Sequence, residues 1–343
     1  MANCQAAAKE ETVAPKQHLM RLHGLRQGDQ VCGAGLEATF GLFYHKPLCH
    51  VVQVWDMSVK LELVREEKLF RLLPARRESS RLEASGVALV DDKTALVVFD
   101  NLNQVARIDL SLKRRASNRL MPAPSLGLGF EDIAIDFRRG RVFCLIEAIE
   151  DIDGLHRGFV AEYDRVGHFL RCTQLHTRFQ EANKGFEGLT HAWRGGREFL
   201  YALCERNLGR SAGGGRIDVF VRARDGDWKT SHRIRLPKQV EFKDYAALAY
   251  RDRQLAVVSQ ASARLWVARV DEKAQAVVPG SDAVYRFPSK SYGNVEGIAW
   301  LSRDTLVAVS DRKKRQQPAR CAEKDQSIHL FRIPGRSLGA DLN

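Results

Sequence analysis

The chain has 343 residues, 44% hydrophobic and 28% charged, with 54 basic against 42 acidic side chains and a formal net charge of +12. These proportions exclude a disordered or low-complexity chain, and no run approaches the ~18 apolar residues of a membrane span. The seven cysteines are odd in number and include no C-x-x-C pair, which excludes a disulfide framework or a zinc knuckle.

The chain begins MANCQAAAKEETVAPKQ, without an apolar signal core. A cytoplasmic protein is expected as the sequence stands; a secreted or periplasmic one would require a missing signal peptide. Residues 1–15 are expected to be loose, and QHLMRLH at 17–23 reads as a strand. A first unit follows at 36–74, with four short β-rich runs: TFGLFY, HVVQVWD, KLELV and KLFRLLP. The glycines of GAGLEATFG at 33–41 precede no helical pattern, so they are not a dinucleotide fingerprint.

Five clearer units come next, at about 83–122, 131–177, 187–237, 244–288 and 296–334. Each opens on a small–aliphatic–small triplet: GVA at 86, DIA at 132, GLT at 188, ALA at 247 and GIA at 297. Successive copies lie 46, 56, 59 and 50 residues apart. After each triplet comes a polar turn and then an apolar run: TALVVF, RVFCLI, FLYALC, QLAVVS or TLVAVS. Third runs (QVARIDL, FVAEYDR, RIDVFVR, RLWVARV, SIHLFRI) follow, and fourth runs close four units at Pro or His: RLMP, TQLH, RIRLP and VYRFP. Branched and aromatic runs bounded by turns are strands, and four per repeat with little helix is the pattern of a propeller. The expectation is an all-β, six-bladed β-propeller over 16–334, with a tail at 335–343. The N-terminal strand 17–23 would complete the last blade and close the ring. Trp55, Trp193, Trp266 and Trp300 read as packing between blades.

In a blade the first strand lines the channel and the second returns beside it, so the start of one meets the end of the other at one mouth. First strands begin at Glu131, Glu187 and Glu296, with Glu83 and Asp244 two residues before their counterparts. Second strands end at Asp56, Asp100, Glu147, Glu205, Gln260 and Asp311. Two readings of this acidic mouth stand side by side. The carboxylates accept hydrogen bonds and pair with arginines, fixing each blade to the next; or they gather a Ca²⁺ or Mg²⁺ ion, with Asn101 and Asn207 adding neutral oxygens. Connections expected to open at this mouth are long at 148–158, 206–216 and 312–326. Arg206 and Arg312, with Glu83, Asp244 and Gln260, are candidate ligand contacts, and the basic loop beginning at Arg312 would meet a small anionic ligand.

Other chemistry is thin. No H-E-x-x-H, G-x-S-x-G or Walker loop is present, and His191, in a strand, reads as a packed core residue. Lys113-Arg114-Arg115 and Arg312-Lys313-Lys314-Arg315 are short basic runs without an RNA-binding signature, so no specific nucleic-acid partner is expected. A monomer is expected.

The phrases LEASGVA, FEGLTH with YALCERN, and VEGIAW with VAVSDRK resemble the phytase-like and SdiA-regulated group of β-propellers, across about 83–334. The resemblance implies a channel mouth that binds metal and a small anionic ligand. In propeller phytases calcium positions a phosphate ester, a role that would fall here on Glu131, Glu187, Glu205, Glu296 and Asp311. The Asp-rich calcium signatures of that family are absent, and Gln260 stands where an acid would. The expected function is a divalent-metal-dependent hydrolase of a phosphate ester or lactone, with Glu187 or Glu205 as general base. The alternative is a propeller that binds a ligand or protein without catalysis.

Overall fold

The computed structural model of the protein describes residues 59–123, 129–150, 153–179, 185–204, 215–237, 240, 242–273 and 275–335. All of these lie in one unit, Ser58–Asn343. Among them are five antiparallel four-stranded sheets. The first is β2 (Ala84–Leu89), β3 (Thr94–Phe99), β4 (Leu102–Asp109) and β5 (Arg119–Pro122). The second is β6 (Phe130–Asp136), β7 (Arg141–Glu150), β8 (His156–Asp164) and β9 (Phe169–Phe179). The third is β10 (Phe186–Arg194), β11 (Arg197–Cys204), β12 (Arg216–Arg222) and β13 (Trp228–Arg235). The fourth is β14 (Ala247–Arg251), β15 (Gln254–Ser259), β16 (Arg264–Arg269) and β17 (Ala283–Arg286). The fifth joins β18 (Val295–Trp300), β19 (Thr305–Ser310) and β20 (Ser327–Arg332) to β1 (Glu62–Lys68), which precedes the other described strands.

The expected six blades are five. The repeat signal counts units correctly from residue 83 onward, but the ring closes without the unit placed at 36–74. Five apolar clusters fill the five seams, and the seam between the last blade and the first is as continuous as the rest. There Val307, Val309 and Ile328 pack with Val87, Val97 and Phe99. At the channel Gly297 lies directly against Gly86: a Cβ on Gly297 would fall 2.7 Å from the Gly86 Cα. No gap remains for a sixth blade. The residues expected to supply its last two strands serve otherwise. Glu62–Lys68 is the outer strand of the last blade, paired antiparallel with β20. KLFRLLP, expected as a strand, turns into the short helix α1 (Leu69–Leu72), whose Leu69 and Leu72 lie three apart on one face and bury in the closing seam. The strand expected at 17–23 and the unit's earlier runs at 36–58, including Trp55 and Asp56, lie outside the described residues.

The second strands β3, β11, β15 and β19 are buried along nearly their whole length because each blade is sandwiched between two others. The last strand in the ring, β1, is an exposed edge, and its charged residues Glu62, Arg65, Glu66, Glu67 and Lys68 suit it to solvent. The small residue of each triplet marks where inner strands touch. A Cβ at Gly188 would meet the Leu248 backbone at 2.8 Å, and one at Gly86 would meet the Asp132 Cα at 2.6 Å.

Candidate functional site

In four of the five blades the residue before the small one sits on a β-bulge. Register slips by one residue between Ala84 and Gly86, Phe130 and Asp132, Phe186 and Gly188, and Val295 and Gly297. The extra residue in each pair is Ser85, Glu131, Glu187 or Glu296. A bulge leaves one residue out of the ladder and re-aims its side chain. The motif therefore combines a small residue for inter-blade contact with an extra residue at the channel mouth.

Glu83, Asp100, Glu296 and Asp311 converge at this mouth, and Glu187 is near enough to repel Glu296. Glu296 is 8% exposed and Asp311 fully buried. Lys314 enters from the loop after β19. Its ammonium lies 3.2 Å from Glu296 Oε1 and 3.3 Å from Asp311 Oδ2. Burial and repulsion from Asp311 raise the Glu296 carboxyl well above its ordinary range. Asp311 is pushed up to about 6, chiefly by burial, and Asp100 to about 7 by burial, Asp311 and Glu83. Arg81 pairs with Glu83 at 2.7 Å, which leaves the one ammonium of Lys314 for Asp100, Glu296 and Asp311. Asp100 Oδ1 is buried and receives no hydrogen bond, and Asp311 Oδ2 has its Lys314 ion pair but no hydrogen bond within normal geometry.

The remaining expected residues divide. Asp244 accepts from Ser259 Oγ at 2.5 Å and from the Ala261 amide at 3.1 Å, so it holds a loop end. Asn101 likewise bridges the Glu83 amide and the Arg81 carbonyl. Gln260 Oε1 accepts from Gln317 at 3.4 Å. Glu131 is half-buried on β6 and Arg312 is exposed. Glu147 lies on β7, but its side chain, together with Glu205, Arg206 and Asn207, falls outside what the structure describes. The connection expected over 148–158 is shorter: β7 runs to Glu150 and β8 starts at His156, paired Glu150 to His156. Beside the carboxylates a small pocket of about 420 Å³ is lined by Arg81, Glu83, Arg312, Lys313, Lys314 and Arg315.

Two features of the channel escaped the sequence reading. Asp132, in the small-residue position of its blade, is a fully buried carboxyl that accepts from the Ile133 amide at 2.8 Å and the Leu189 amide at 2.7 Å. It stitches β6 to β10, and burial holds its pKa well above the carboxylate range. At the other end of the channel, a cavity of about 440 Å³ is lined by all five inner strands. Nearby, Asp136, His191 and Glu198 bring ligand-type atoms within 4.8 Å of one another. Glu198 is already paired with Arg139 at 2.7 Å and Arg222 at 3.0 Å, which opposes a metal ion there. His191 stacks on Phe143 at 5.3 Å, with its side chain 3% exposed.

No known family model matches the sequence, and no curated protein matches it. Solved propeller enzymes align with the structure at low identity. The PQQ-bound aldose sugar dehydrogenase of Streptomyces coelicolor gives a TM-score of 0.49 at 14% identity, over 80% of this chain and 98% of that one. Glutaminyl cyclase of Myxococcus xanthus gives 0.48 at 13%, over 80% and 97%. Virginiamycin B lyase of Staphylococcus aureus gives 0.40 at 8%, over 80% and 100%. These values carry no activity, cofactor or site residue over to this chain. What stands on its own blades and seams is an all-β propeller of four-stranded blades, in whose described residues no helix is long and apolar enough to cross a membrane.

Proposed function

We propose that the acidic mouth binds a divalent cation, Ca²⁺ or Mg²⁺, together with a small anionic ester, and that the protein is a hydrolase of a phosphate ester or lactone. The observation that carries this is the pair of undersatisfied oxygens, Asp100 Oδ1 and Asp311 Oδ2, beside Glu296. All are hard oxygen donors, as these ions prefer. Asp100, Asp311 and Glu296 would hold the ion, with Glu187 near Glu296. When bound, such an ion polarises a substrate oxygen and acidifies a water. Arg312, Lys313 and Arg315 supply the positive charge that draws an anion to the rim. Glu187, with Glu205 as the other candidate, is the general base. The likeness of FEGLTH and VEGIAW to phytase-like propellers supports the same reading.

A second reading is favoured by the Lys314 ion pairs. Here the ammonium is the resident counter-ion, and the mouth is part of a propeller that binds a ligand or protein without catalysis. Calorimetric titration of the chelator-treated protein with CaCl₂ and MgCl₂ separates the two, alongside turnover of aryl phosphates and lactones. Saturable binding that is lost in Asp311→Asn, with metal-dependent turnover lost in Glu187→Gln, supports the hydrolase. Absence of both cation binding and turnover in the wild-type protein rejects it and leaves the second reading.

A further inference from the structure

A second concentration of charge lies between the second and third blades, near the end of the channel away from the carboxylates. A cleft of about 600 Å³ opens there, lined by strand ends of both blades. Its floor holds two buried carboxylates, Glu162 at 1% and Glu198 at 3% exposure. Four guanidiniums crowd on these two groups. Glu162 accepts from Arg222 at 2.7 Å and Arg171 at 2.9 Å, with Arg141 at 3.4 Å. Glu198 takes Arg139 and the other edge of Arg222. Arg222 is itself buried, its side chain 7% exposed, and lies over the Trp228 ring at 4.1 Å. Arg139 lies over Trp193 at 4.7 Å. At the rim stand Arg197 and Arg224, both exposed.

Six arginines therefore line a cleft that contains two carboxylates, with a third, Asp136, within 4.8 Å of Glu198, an excess of three positive charges. Like charges in a walled cleft focus their fields and raise the local concentration of anions. Buried carboxylates and aromatic faces fix the planes of Arg139, Arg171 and Arg222, so little rotamer freedom remains to be lost there; their inner N–H groups are engaged by Glu162, Glu198 and the Gly226 carbonyl, and the rim arginines meet the ligand first. Planar forks held in this way match tetrahedral oxyanions, and the volume suits a small ligand.

We propose that this inter-blade cleft is a binding site for a compact soluble polyanion carrying two or more phosphate groups. It is independent of the acidic mouth and of the hydrolase reading. The rim arginines Arg197 and Arg224 are the handles for a test, because they lie outside the buried ion-pair network. Calorimetric titration with sodium tripolyphosphate at low salt is the experiment, run on the wild type, on an Arg197→Glu/Arg224→Glu double variant and on a Lys113→Glu/Arg114→Glu control, both exposed between β4 and β5 and remote from either site. Far-UV circular dichroism and melting temperature verify that each variant folds. The expected result is saturable binding by wild type and control, weakened about tenfold or more in the rim variant, and weaker binding of single inorganic phosphate. No saturable binding to the wild type, or equal affinity in the rim variant, overturns the proposal.

Discussion

Glu66 is the latch of the closing strand, and its removal should loosen the ring in a pH-dependent way. The carboxylate accepts from Lys324 at 2.5 Å, from the Tyr292 hydroxyl at 3.1 Å and from His329 Nδ1 at 3.2 Å. His329 is fully buried, and burial lowers its pKa, so the neutral ring donates through Nδ1 and accepts from Ser310 through Nε2 at 2.9 Å. Hydrogen bonds from His329 and Lys324 bring Glu66 down from 4.5 to about 2. At about 1.36 kcal/mol per pH unit this amounts to about 3.4 kcal/mol. The side chain is 28% exposed, and solvent screening brings the contribution to roughly half, about 1.7 kcal/mol. Because the folded-state pKa is the lower one, this stabilisation is complete above about pH 4.5 and is lost as pH falls towards 2. Glu66→Gln should therefore lose about 1–2 kcal/mol at pH 7 in urea unfolding followed by circular dichroism, and the gap to wild type should shrink on acidification below pH 4.5. A gap that stays constant from pH 7 to pH 3, or no gap at pH 7, would refute the latch.

Three further outcomes are expected. Lys314→Met leaves Glu296 and Asp311 buried without their counter-ion; because the lysine is 44% exposed it should destabilise by about 1–2 kcal/mol, and on the proposed function millimolar Ca²⁺ should recover part of the lost melting temperature. Gly297→Ala drives a methyl into the Gly86 backbone at the closing seam; overpacking there should cost about 1–3 kcal/mol in thermal melts, whereas Gly196→Ala, in an open turn, should cost less than that and act through its positive φ alone. Asp132→Ala strands the Leu189 and Ile133 amides in the channel wall and should lose about 2–4 kcal/mol in denaturant unfolding, with Asp132→Asn recovering part of it.

The blades were legible because each repeats the same physical demands: a small residue where inner strands touch, then an apolar run buried on both sides. Gly86, Gly188 and Gly297 carry that signal openly. Blade number was not legible, because closure depends on whether Gly297 meets Gly86 or a further strand, and no local pattern records that. The run KLFRLLP suits a strand or a helical turn, and the packing of Leu69 and Leu72 into the seam selects the helix. At the mouth, alignment of the repeats located Glu296 and Asp311, since bulges recur at fixed places. Lys314 was read only as part of a basic loop; its direction is set by the turn after Asp311, three residues away. The arginine cleft was invisible in one dimension, because Glu162, Glu198 and Arg222 come from separate strands of two blades.

The pairing of β1 with β20 also sets an order of events during synthesis. From Lys68 to Ser327 the chain grows by 259 residues before the first strand meets its partner. At cellular elongation rates this is a wait of roughly 15–50 s. Throughout that interval β1 lacks its partner β20, and the four other blades emerge with edges it could join by mistake. Glu62, Arg65, Glu66, Glu67 and Lys68 make it a poor partner for any edge except the one that presents His329 and Lys324. Glu66 finds its partners Tyr292, Lys324 and His329 only around the last blade, so β1 takes its place in the ring after that blade has been made.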